Sequence, residues 1–324
     1  MNTPLVSVVM PAYNAEKNIY EAILSILNQT YENIELIVID DASKDRTYSI
    51  IKQFSDNRII IEKNETNKGI AYTTNKAIKL ANGKYIALMD DDDIAFQERI
   101  EYQVKFLEKN NDIDILGGRS EDIDESGAHI RYGGMPRTNP NYIKALLLFR
   151  CLDFRNGTTM MRRDFIDKYN LRYRDGYLGM QDYQFFIESS KVGKISSIDE
   201  YLIKYRIHDD NETKKQQTIN KIERERIYSK MRIDSLRMSG FILNEEQIDI
   251  LNYSFPETNP SKLSKKDLLL LYSTFKEIYL MALEMKIDYI EELNIVLKKL
   301  FSEKIYKSNL FSDECNRFTV YKKL

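Results

Sequence analysis

Four consecutive aspartates, Asp90 to Asp93, directly follow an apolar run and could bind a divalent cation. Carboxylates two residues apart at the end of a strand present hard oxygen ligands to one side of a loop, and such ligands suit Mg²⁺ or Mn²⁺. A cation held there would bridge two phosphate oxygens and stabilise the charge on a departing diphosphate. Acidic clusters are often only solvated turns, but the position of this one after a buried strand favours a cation site.

Two other strand ends carry side chains that could bind a nucleoside. The first predicted strand ends in Pro11-Ala12-Tyr13-Asn14, and the second ends in Asp40. An aromatic ring can stack on a base, an amide can bind a ribose hydroxyl, and a carboxylate can accept a hydrogen bond from a base imide. Because ligands bind beyond the carboxyl ends of parallel strands, these groups and the acid run would share one site.

The elements that position these residues alternate short β-branched runs with amphipathic helices. This pattern predicts an α/β fold in which a mostly parallel sheet is covered by helices on both faces. We predict strands at 5–10, 34–39, 59–61, 85–89, 113–117, 158–162, 195–198 and 201–206. We also predict helices from about 69 to 81 and from about 97 to 109.

Composition excludes several classes of protein. The 324 residues carry 48 Lys and Arg against 50 Asp and Glu, so no basic field exists to hold nucleic acid. Cys151 and Cys315 lie far apart without a CxxC pair, which indicates neither a disulfide framework nor a thiolate metal site. No signal peptide and no apolar run of about 20 residues is found. We therefore expect a cytoplasmic protein without a transmembrane segment.

Several segments resemble family 2 glycosyltransferases with the GT-A fold. The first three are VSVVMPAYNAEKNI, ELIVIDDASKDRT and NKGIAYTTNKAIKLANGKYIALMDDDDI, and the resemblance resumes at NGTTMMRRDF, YRDGYLGMQDYQFFIESSKVGKI and YLIKYRIH. Together they span roughly the first two thirds of the chain. The resemblance implies a Rossmann-like GT-A fold, a UDP-sugar donor, Mn²⁺ or Mg²⁺ as cofactor, and a glycan or lipid-linked acceptor in surface polysaccharide biosynthesis.

The resemblance also implies roles for residues at matching positions. The residues that would hold the uridine are Pro11, Ala12, Tyr13, Asn14 and Asp40. Lys68 and Gly69 would approach the donor, and Asp90, with Asp91 beside it, would contact the ribose. Asp92 would bind the metal, and His208 would approach it. Lys-Gly is also a common helix-entry turn, and a loop histidine often faces solvent. Since the family usually has a small residue where this chain has Asp91, which pair binds the metal stays open.

Asp182 is the candidate general base that the resemblance implies for an inverting reaction. A hydroxyl is a poor nucleophile at neutral pH, and a carboxylate within hydrogen-bond reach can remove its proton. The positive end of a helix dipole would keep Asp182 ionised. The alternative is that Asp182 only caps the helix that starts there. Arg162 and Arg163 could contact phosphate but are equally surface features, so we leave them out of the site.

From about residue 213 the chain changes to Lys- and Glu-rich segments with helical spacing of Leu and Ile, which predicts a helical subdomain. We therefore predict a catalytic domain at 1–212, with a nucleotide-binding half at 1–118 and an acceptor half at 119–212, and a helical extension at 213–324. The extension has no clear basic face, so packing on protein is favoured, while peripheral contact with the inner face of the membrane stays open. The oligomeric state is not indicated.

Two other functions are alternatives. A sugar-phosphate nucleotidyltransferase would need a glycine-rich loop with a basic residue after the first strand, and no glycine occurs in 11–16. A non-catalytic scaffold of the same fold would have a damaged metal motif or no base. The absence of G-x-G-x-x-G and of a P-loop disfavours dehydrogenases and P-loop kinases.

Overall fold

The computed structural model describes residues 3–209, 211–257 and 262–308. Within these ranges the strands are β1 Val6–Ala12, β2 Ile34–Asp40, β3 Ile59–Lys63, β4 Tyr85–Leu88, β5 Ile94–Ala95, β6 Ile115–Ile123, β7 His129–Gly133, β8 Met160–Arg162 and β9 Ile195–Arg206. The helices are α1 Ile19–Leu27, α2 Thr47–Ile51, α3 Ile70–Leu80, α4 Arg99–Lys109, α5 Pro140–Leu147, α6 Arg163–Lys168, α7 Gln181–Val192, α8 Glu212–Ile219, α9 Lys221–Met238, α10 Glu245–Ser254, α11 Lys265–Met285 and α12 Ile290–Ser308.

All nine strands belong to one sheet with the order β3-β2-β1-β4-β8-β6-β9-β5, and β7 pairs with β6. The pairs among β1, β2, β3 and β4 are parallel. Beyond β4 the sheet is mixed, because β8 runs antiparallel to both β4 and β6 while β6 and β9 are parallel. The carboxyl ends of β1, β2 and β4 therefore meet at one edge.

Side-chain burial explains why the first half of the sheet forms. Val8 of β1 and Leu36 and Val38 of β2 are fully buried, as a strand covered on both faces requires. Helix α1 buries Ile19, Ala22, Ile23 and Ile26, which recur at helical spacing and form one apolar face. This packing fixes the strand ends that carry the polar residues.

The predicted α/β fold is confirmed, and the strand boundaries differ mainly in its second half. The two strands predicted at 195–198 and 201–206 are one continuous strand, β9, and the strand predicted at 113–117 extends to Ile123. Strand β7 was not predicted because it is only five residues long and almost all of its residues are exposed, so it adds no apolar run to the sequence.

The described residues divide into two compact units. The first contains the residues up to Thr138 and those from Asp153 to Lys214, and the second contains Asn139–Leu152 and the helical residues after Lys214. The predicted boundary assigned 139–152 to the catalytic domain, whereas its contacts lie with the C-terminal helices. Within the second unit the ring of Phe149 packs edge-on against Phe275, with centroids 5.7 Å apart. No helix in the described part of the chain is both long and apolar enough to cross a membrane.

Candidate active site

The first two carboxylates of the acid run lie beside the turn that follows β1 and the loop that precedes β8. Oδ2 of Asp91 accepts a hydrogen bond from the Tyr13 backbone N–H at 2.9 Å, so the acid run holds the turn that follows β1. Asp90 faces the loop before β8, where a Cβ atom added at Gly157 would come within 2.9 Å of its Oδ2. Any other residue at position 157 would force the Asp90 carboxylate to move.

The last two carboxylates bind the end of β9. Oδ2 of Asp92 lies 2.8 Å from Nε2 of His208 and accepts from Nδ2 of Asn211 at 3.3 Å. Oδ1 of the fully buried Asp93 accepts from the Arg206 backbone N–H at 2.9 Å. The structure therefore brings Asp92 and His208 together, and their predicted binding of a metal stays a prediction.

Crowding of carboxylates in this region shifts their pKa values. Burial, followed by the charge of Asp92, raises the pKa of Asp90 to about 7. Burial and Asp92 also raise the pKa values of Asp91 and Asp93 well above the usual range. Although Asp90 keeps some exposed surface, its carboxyl group is densely surrounded by protein atoms. Asp93 is thus buried and the other three carboxylates are partly buried, and burial together with their mutual repulsion disfavours ionisation of all four at once.

The turn that follows β1 is tied to the end of β2 through Asn14. The Asn14 backbone N–H donates to Oγ of Ser43 at 2.9 Å, and its side-chain Oδ1 accepts from the Lys44 N–H at 2.8 Å. Asn14 has φ +52°, a left-handed conformation that Asn tolerates better than most residues. Tyr13 is 41% exposed, whereas Ala12 is buried. The ring of Tyr13 is thus accessible for stacking.

Asp40, at the end of β2, is completely buried. Its Oδ1 accepts from the Ser43 N–H at 3.3 Å, while its Oδ2 has no hydrogen-bond partner among the described residues. The nearest cation is Lys63, whose Nζ lies 3.4 Å from Oδ2. A buried carboxylate oxygen without a hydrogen bond is unusual and suits a ligand that donates one.

Asp41, which was not predicted as a site residue, positions the predicted Lys68-Gly69 pair. Its Oδ1 accepts from the Lys68 N–H at 2.9 Å and from Nδ2 of Asn64 at 2.7 Å, and its Oδ2 accepts from the Gly69 N–H at 2.8 Å. Gly69 has φ +86°, which glycine adopts without strain, and α3 begins directly after it. The side chain of Lys68 is exposed. A second carboxylate after Asp40 was the available sequence signal.

Asp182 is the second residue of α7, and its Oδ1 accepts the Tyr183 backbone N–H at 2.7 Å. The N-cap of α7 is Met180, whose side chain makes no capping hydrogen bond, and the bond of Asp182 to the next residue is not the bond of an N-cap to a residue two or three positions on. The same carboxylate contributes to raising the pKa values of both Asp90 and Tyr173. Asp182 thus also lies close enough to the acid run to share its electrostatic field, as a catalytic role requires.

Tyr173 packs between the loop before β8 and helix α7. Its Oη donates to Oδ1 of Asn156 at 3.1 Å, and its ring stacks on Phe185 with centroids 4.4 Å apart. Asn75 of α3 holds its backbone from both sides, since Oδ1 accepts the Tyr173 N–H at 3.0 Å and Nδ2 donates to the Tyr173 carbonyl at 2.7 Å. These two hydrogen bonds, which we call the clasp, connect α3 to the segment that leads to Asp182.

Three arginines near the acid run were missed by the sequence analysis. Arg99 is fully buried and donates to the Leu88 carbonyl at 2.6 Å, and burial lowers its pKa to about 10. Arg155 and Arg206 are the other two, and Arg206 donates to the Asp92 carbonyl at 3.0 Å. The charges of Arg99 and Arg155 lower the pKa of Asp90 and so partly offset the crowding.

The other arginines considered from sequence are structural. Arg162 is buried and donates to the carbonyls of Ile113 at 2.8 Å and Leu107 at 2.6 Å, so it is neither the surface feature nor the phosphate ligand that the sequence left open. Arg163 forms an ion pair with Asp167 at 3.4 Å, one helical turn away.

A divalent cation fits Asp92 and His208 by donor chemistry. In the described part of the chain, no three His, Cys, Asp or Glu side chains are grouped closely enough to bind a metal by themselves. Mg²⁺ and similar ions are commonly held by one or two carboxylates together with substrate phosphates, so two protein ligands are sufficient. The closeness of Asp92 to Asp90 points the same way, because a cation between neighbouring carboxylates would relieve their repulsion.

Comparison with known proteins gives a consistent result. The model of the family described as Glycosyl transferase family 2 matches residues 7–170 of this chain. An uncharacterized glycosyltransferase of Haemophilus influenzae is 38% identical over 241 residues, which cover 70% of this chain and 74% of that protein. Escherichia coli WfgD, a UDP-Glc:alpha-D-GlcNAc-diphosphoundecaprenol beta-1,3-glucosyltransferase, is 34% identical over 209 residues, which cover 64% of this chain and 79% of WfgD.

A solved structure has the same fold. S. aureus TarS 1–349 in complex with UDP-GlcNAc superposes with a TM-score of 0.61 at 18% identity, and the match covers 90% of both chains. At this level of identity the likeness concerns the fold.

Proposed function

This chain belongs to glycosyl transferase family 2, and we propose that it transfers a sugar from a UDP-sugar to a hydroxyl of a lipid-linked or glycan acceptor, with inversion at the anomeric carbon. The observation that carries the proposal is that three groups lie near one another, two of them joined by the Tyr13–Asp91 hydrogen bond and the third close enough to raise the pKa of Asp90. They are the turn ending at Asn14, the acid run, and Asp182 at the start of α7. The nucleotidyltransferase alternative is set aside because the family catalyses glycosyl transfer.

Donor binding in this proposal uses the ends of β1, β2 and β4. The exposed ring of Tyr13 would stack on the base, the buried Asp40 would accept its imide N–H, and Asp90 would bind the ribose. Asp91 would act indirectly, because its Oδ2 already holds the Tyr13 N–H. The UDP-sugar named for WfgD supports the choice of donor class.

The chemical step in this proposal needs one base. Asp182 would accept the proton of the acceptor hydroxyl while that oxygen attacks the anomeric carbon and the bond to the UDP oxygen breaks, which gives an inverted product and free UDP. Its place at a helix N-terminus favours the ionised form that a base requires. Asp92 and His208 would hold Mn²⁺ or Mg²⁺, which stabilises the charge on the departing diphosphate when bound.

The acceptor class is proposed from relatives. WfgD acts on a sugar linked through a diphosphate to undecaprenol, and a second E. coli protein with the same activity, WfaP, is 46% identical over 104 residues. We therefore expect a lipid-linked sugar as acceptor, used at a membrane surface during surface polysaccharide synthesis.

The test is UDP release from a panel of UDP-sugars, with Mn²⁺ and a short synthetic sugar-diphosphate-lipid acceptor. Asp182→Ala should reduce transfer about 10²–10⁴-fold, the usual contribution of a general base, while UDP affinity by calorimetry stays within about twofold. Asp199→Ala, which removes an exposed carboxylate paired with Arg119, is the matched control and should leave both unchanged.

Two further results decide the proposal. Chelation by EDTA should abolish transfer, and Asp92→Ala should raise the Mn²⁺ concentration needed for half-maximal rate by at least tenfold. NMR of the product should give the anomer opposite to that of the donor. A retained anomer, or full transfer by Asp182→Ala, would contradict the mechanism, and the absence of any nucleotide binding would overturn the function itself.

A further inference from the structure

We propose that Lys63 selects the base of the donor by donating to the C4 carbonyl of a uracil or thymine while Asp40 accepts the neighbouring N3–H. The inference rests on the proposed nucleotide-sugar function and adds to it a residue that decides which nucleotides are accepted. It assigns to Lys63 a role that neither its sequence context nor its exposure indicates.

The first observation is the pair of atoms at the ends of β2 and β3. Oδ2 of Asp40 is buried and accepts no hydrogen bond among the described residues, and Nζ of Lys63 lies 3.4 Å away. The two residues are aligned partners in the parallel ladder between these strands. An acceptor and a donor therefore stand side by side at the edge of the sheet.

The order of strands indicates which part of the base each atom meets. Reading across the sheet, the order is β3, β2, β1 and β4. Asp90, which follows β4, is the proposed ribose ligand, and Asp40 ends β2. The base therefore points from β4 toward β3, and Lys63 at the end of β3 is on the side remote from the ribose. In a pyrimidine nucleotide the remote neighbour of N3 is the C4 substituent.

The chemistry of the pair then discriminates between bases. Uracil and thymine present an N3–H donor beside a C4 carbonyl acceptor, which complements a carboxylate beside an ammonium. Cytosine presents an N3 acceptor beside a C4 amino donor, so both contacts would be unfavourable. A site that hydrogen-bonds one pattern rejects the other because its buried polar groups are left unpaired.

Lys63 has the freedom that this role requires. Its side chain is 41% exposed, and its Nζ lies 4.3 Å from the centroid of the Tyr48 ring. A four-carbon stem held at its tip by an ion pair and a cation–π contact can move a short way along the edge of the sheet. The imide N–H of the base can then donate to Oδ2 of Asp40 while the ammonium of Lys63 moves to donate to the adjacent C4 carbonyl.

The experiment measures the affinities of UDP, dTDP and CDP by calorimetry with Mn²⁺ present, for the wild-type chain, Lys63→Met and Lys63→Arg. Lys63→Met should weaken UDP and dTDP binding by the same factor, at least tenfold, and should leave CDP binding unchanged or slightly improved. Lys63→Arg should keep a UDP preference within about threefold of the wild-type value. Lys52→Met, at an exposed lysine after α2, should change nothing.

Melting curves of the variants separate recognition from folding, and Lys63→Leu provides a second variant without a hydrogen-bond donor should Lys63→Met unfold. Equal losses for UDP and CDP, or unchanged UDP binding, would overturn the role of Lys63 while leaving the proposed function intact. Absence of nucleotide binding by the wild-type chain would instead overturn the proposed function, and this inference with it.

Discussion

A methyl group added at Gly157 would lie 2.9 Å from Oδ2 of Asp90 and 3.4 Å from Cδ1 of Ile203. The shorter contact is with the end of a side chain, which can move at little cost to folding. We therefore predict that Gly157→Ala lowers the free energy of unfolding by less than about 1 kcal/mol. We also predict that it lowers kcat/KM for the donor by about ten- to a hundredfold, since the added methyl group would displace the carboxylate of Asp90 and small displacements of binding groups in an active site reduce the rate by such factors.

Melting temperature and steady-state kinetics on one preparation check this prediction. A large loss of stability with proportionate loss of activity would mean that Gly157 is needed for packing alone. Unchanged kinetics would mean that the position of Asp90 is unimportant for the donor.

At the scale of residues, the carboxylates could be predicted from sequence and their basic partners could not. Asp40, Asp90 and Asp92 follow apolar runs, and a strand end has a fixed place in a parallel sheet. Arg206 and Arg99 look like surface charges in sequence, because what buries them is contact with segments distant in the chain. No local pattern reports such contacts.

At the scale of elements, the clasp between α3 and the segment before α7 can be tested. Asn75→Ala removes two hydrogen bonds to the Tyr173 backbone and leaves that N–H and carbonyl without their partner. We expect a loss of about 1–3 kcal/mol in the free energy of unfolding, the usual cost of an unsatisfied polar group. Urea denaturation measures it, and Asn111→Ala at an exposed turn serves as control.

The reaction step should also respond to Asn75→Ala, because Asp182 follows the clasped segment. The rate constant for transfer should fall more than UDP affinity does. If UDP affinity fell alone, the clasp would serve the nucleotide and not the base.

The elements that sequence reasoning located well are those whose pattern is set locally. Strands β1, β2 and β4 are short apolar runs closed by polar residues, and their predicted limits agree with the structure to within two residues. Helix α5 was missed although it has a sequence signal, namely Asn139 as N-cap followed by Pro140. Its partner helices come much later in the chain, so nothing nearby indicated which unit it would join.

At the scale of the whole molecule, stability should depend on pH through Lys304 of α12. Burial, and then the charge of Lys307, lowers the pKa of Lys304 from 10.5 to about 8. Below about pH 8 the lysine is charged in both folded and unfolded states, and the folded state bears the cost of enclosing that charge. Between about pH 8 and 10.5 the folded state loses the proton first, so this residue makes stability rise with pH.

We predict that Lys304→Met raises the free energy of unfolding at pH 7 by roughly 1 kcal/mol, since the partly exposed ammonium is screened by water. Methionine can keep the contact with Phe255, over whose ring Nζ lies at 4.5 Å. The gain should shrink toward zero as pH approaches 10.5. Denaturation at pH 7 and pH 10 measures it, with Lys276→Met at an exposed lysine of α11 as control. A gain that did not depend on pH would contradict the assignment to charge.

The grouping of Asn139–Leu152 with the C-terminal helices has a consequence for synthesis on the ribosome. Helix α5 packs against α12 in the folded chain. It leaves the exit tunnel well before α12 has been translated. At about 5–20 residues per second the delay is on the order of ten seconds or more. During that interval Ile143, Leu146 and Phe149, which are buried in the folded chain, lack the C-terminal helices of their unit, so we expect chaperones that bind exposed apolar segments to recognise the nascent chain.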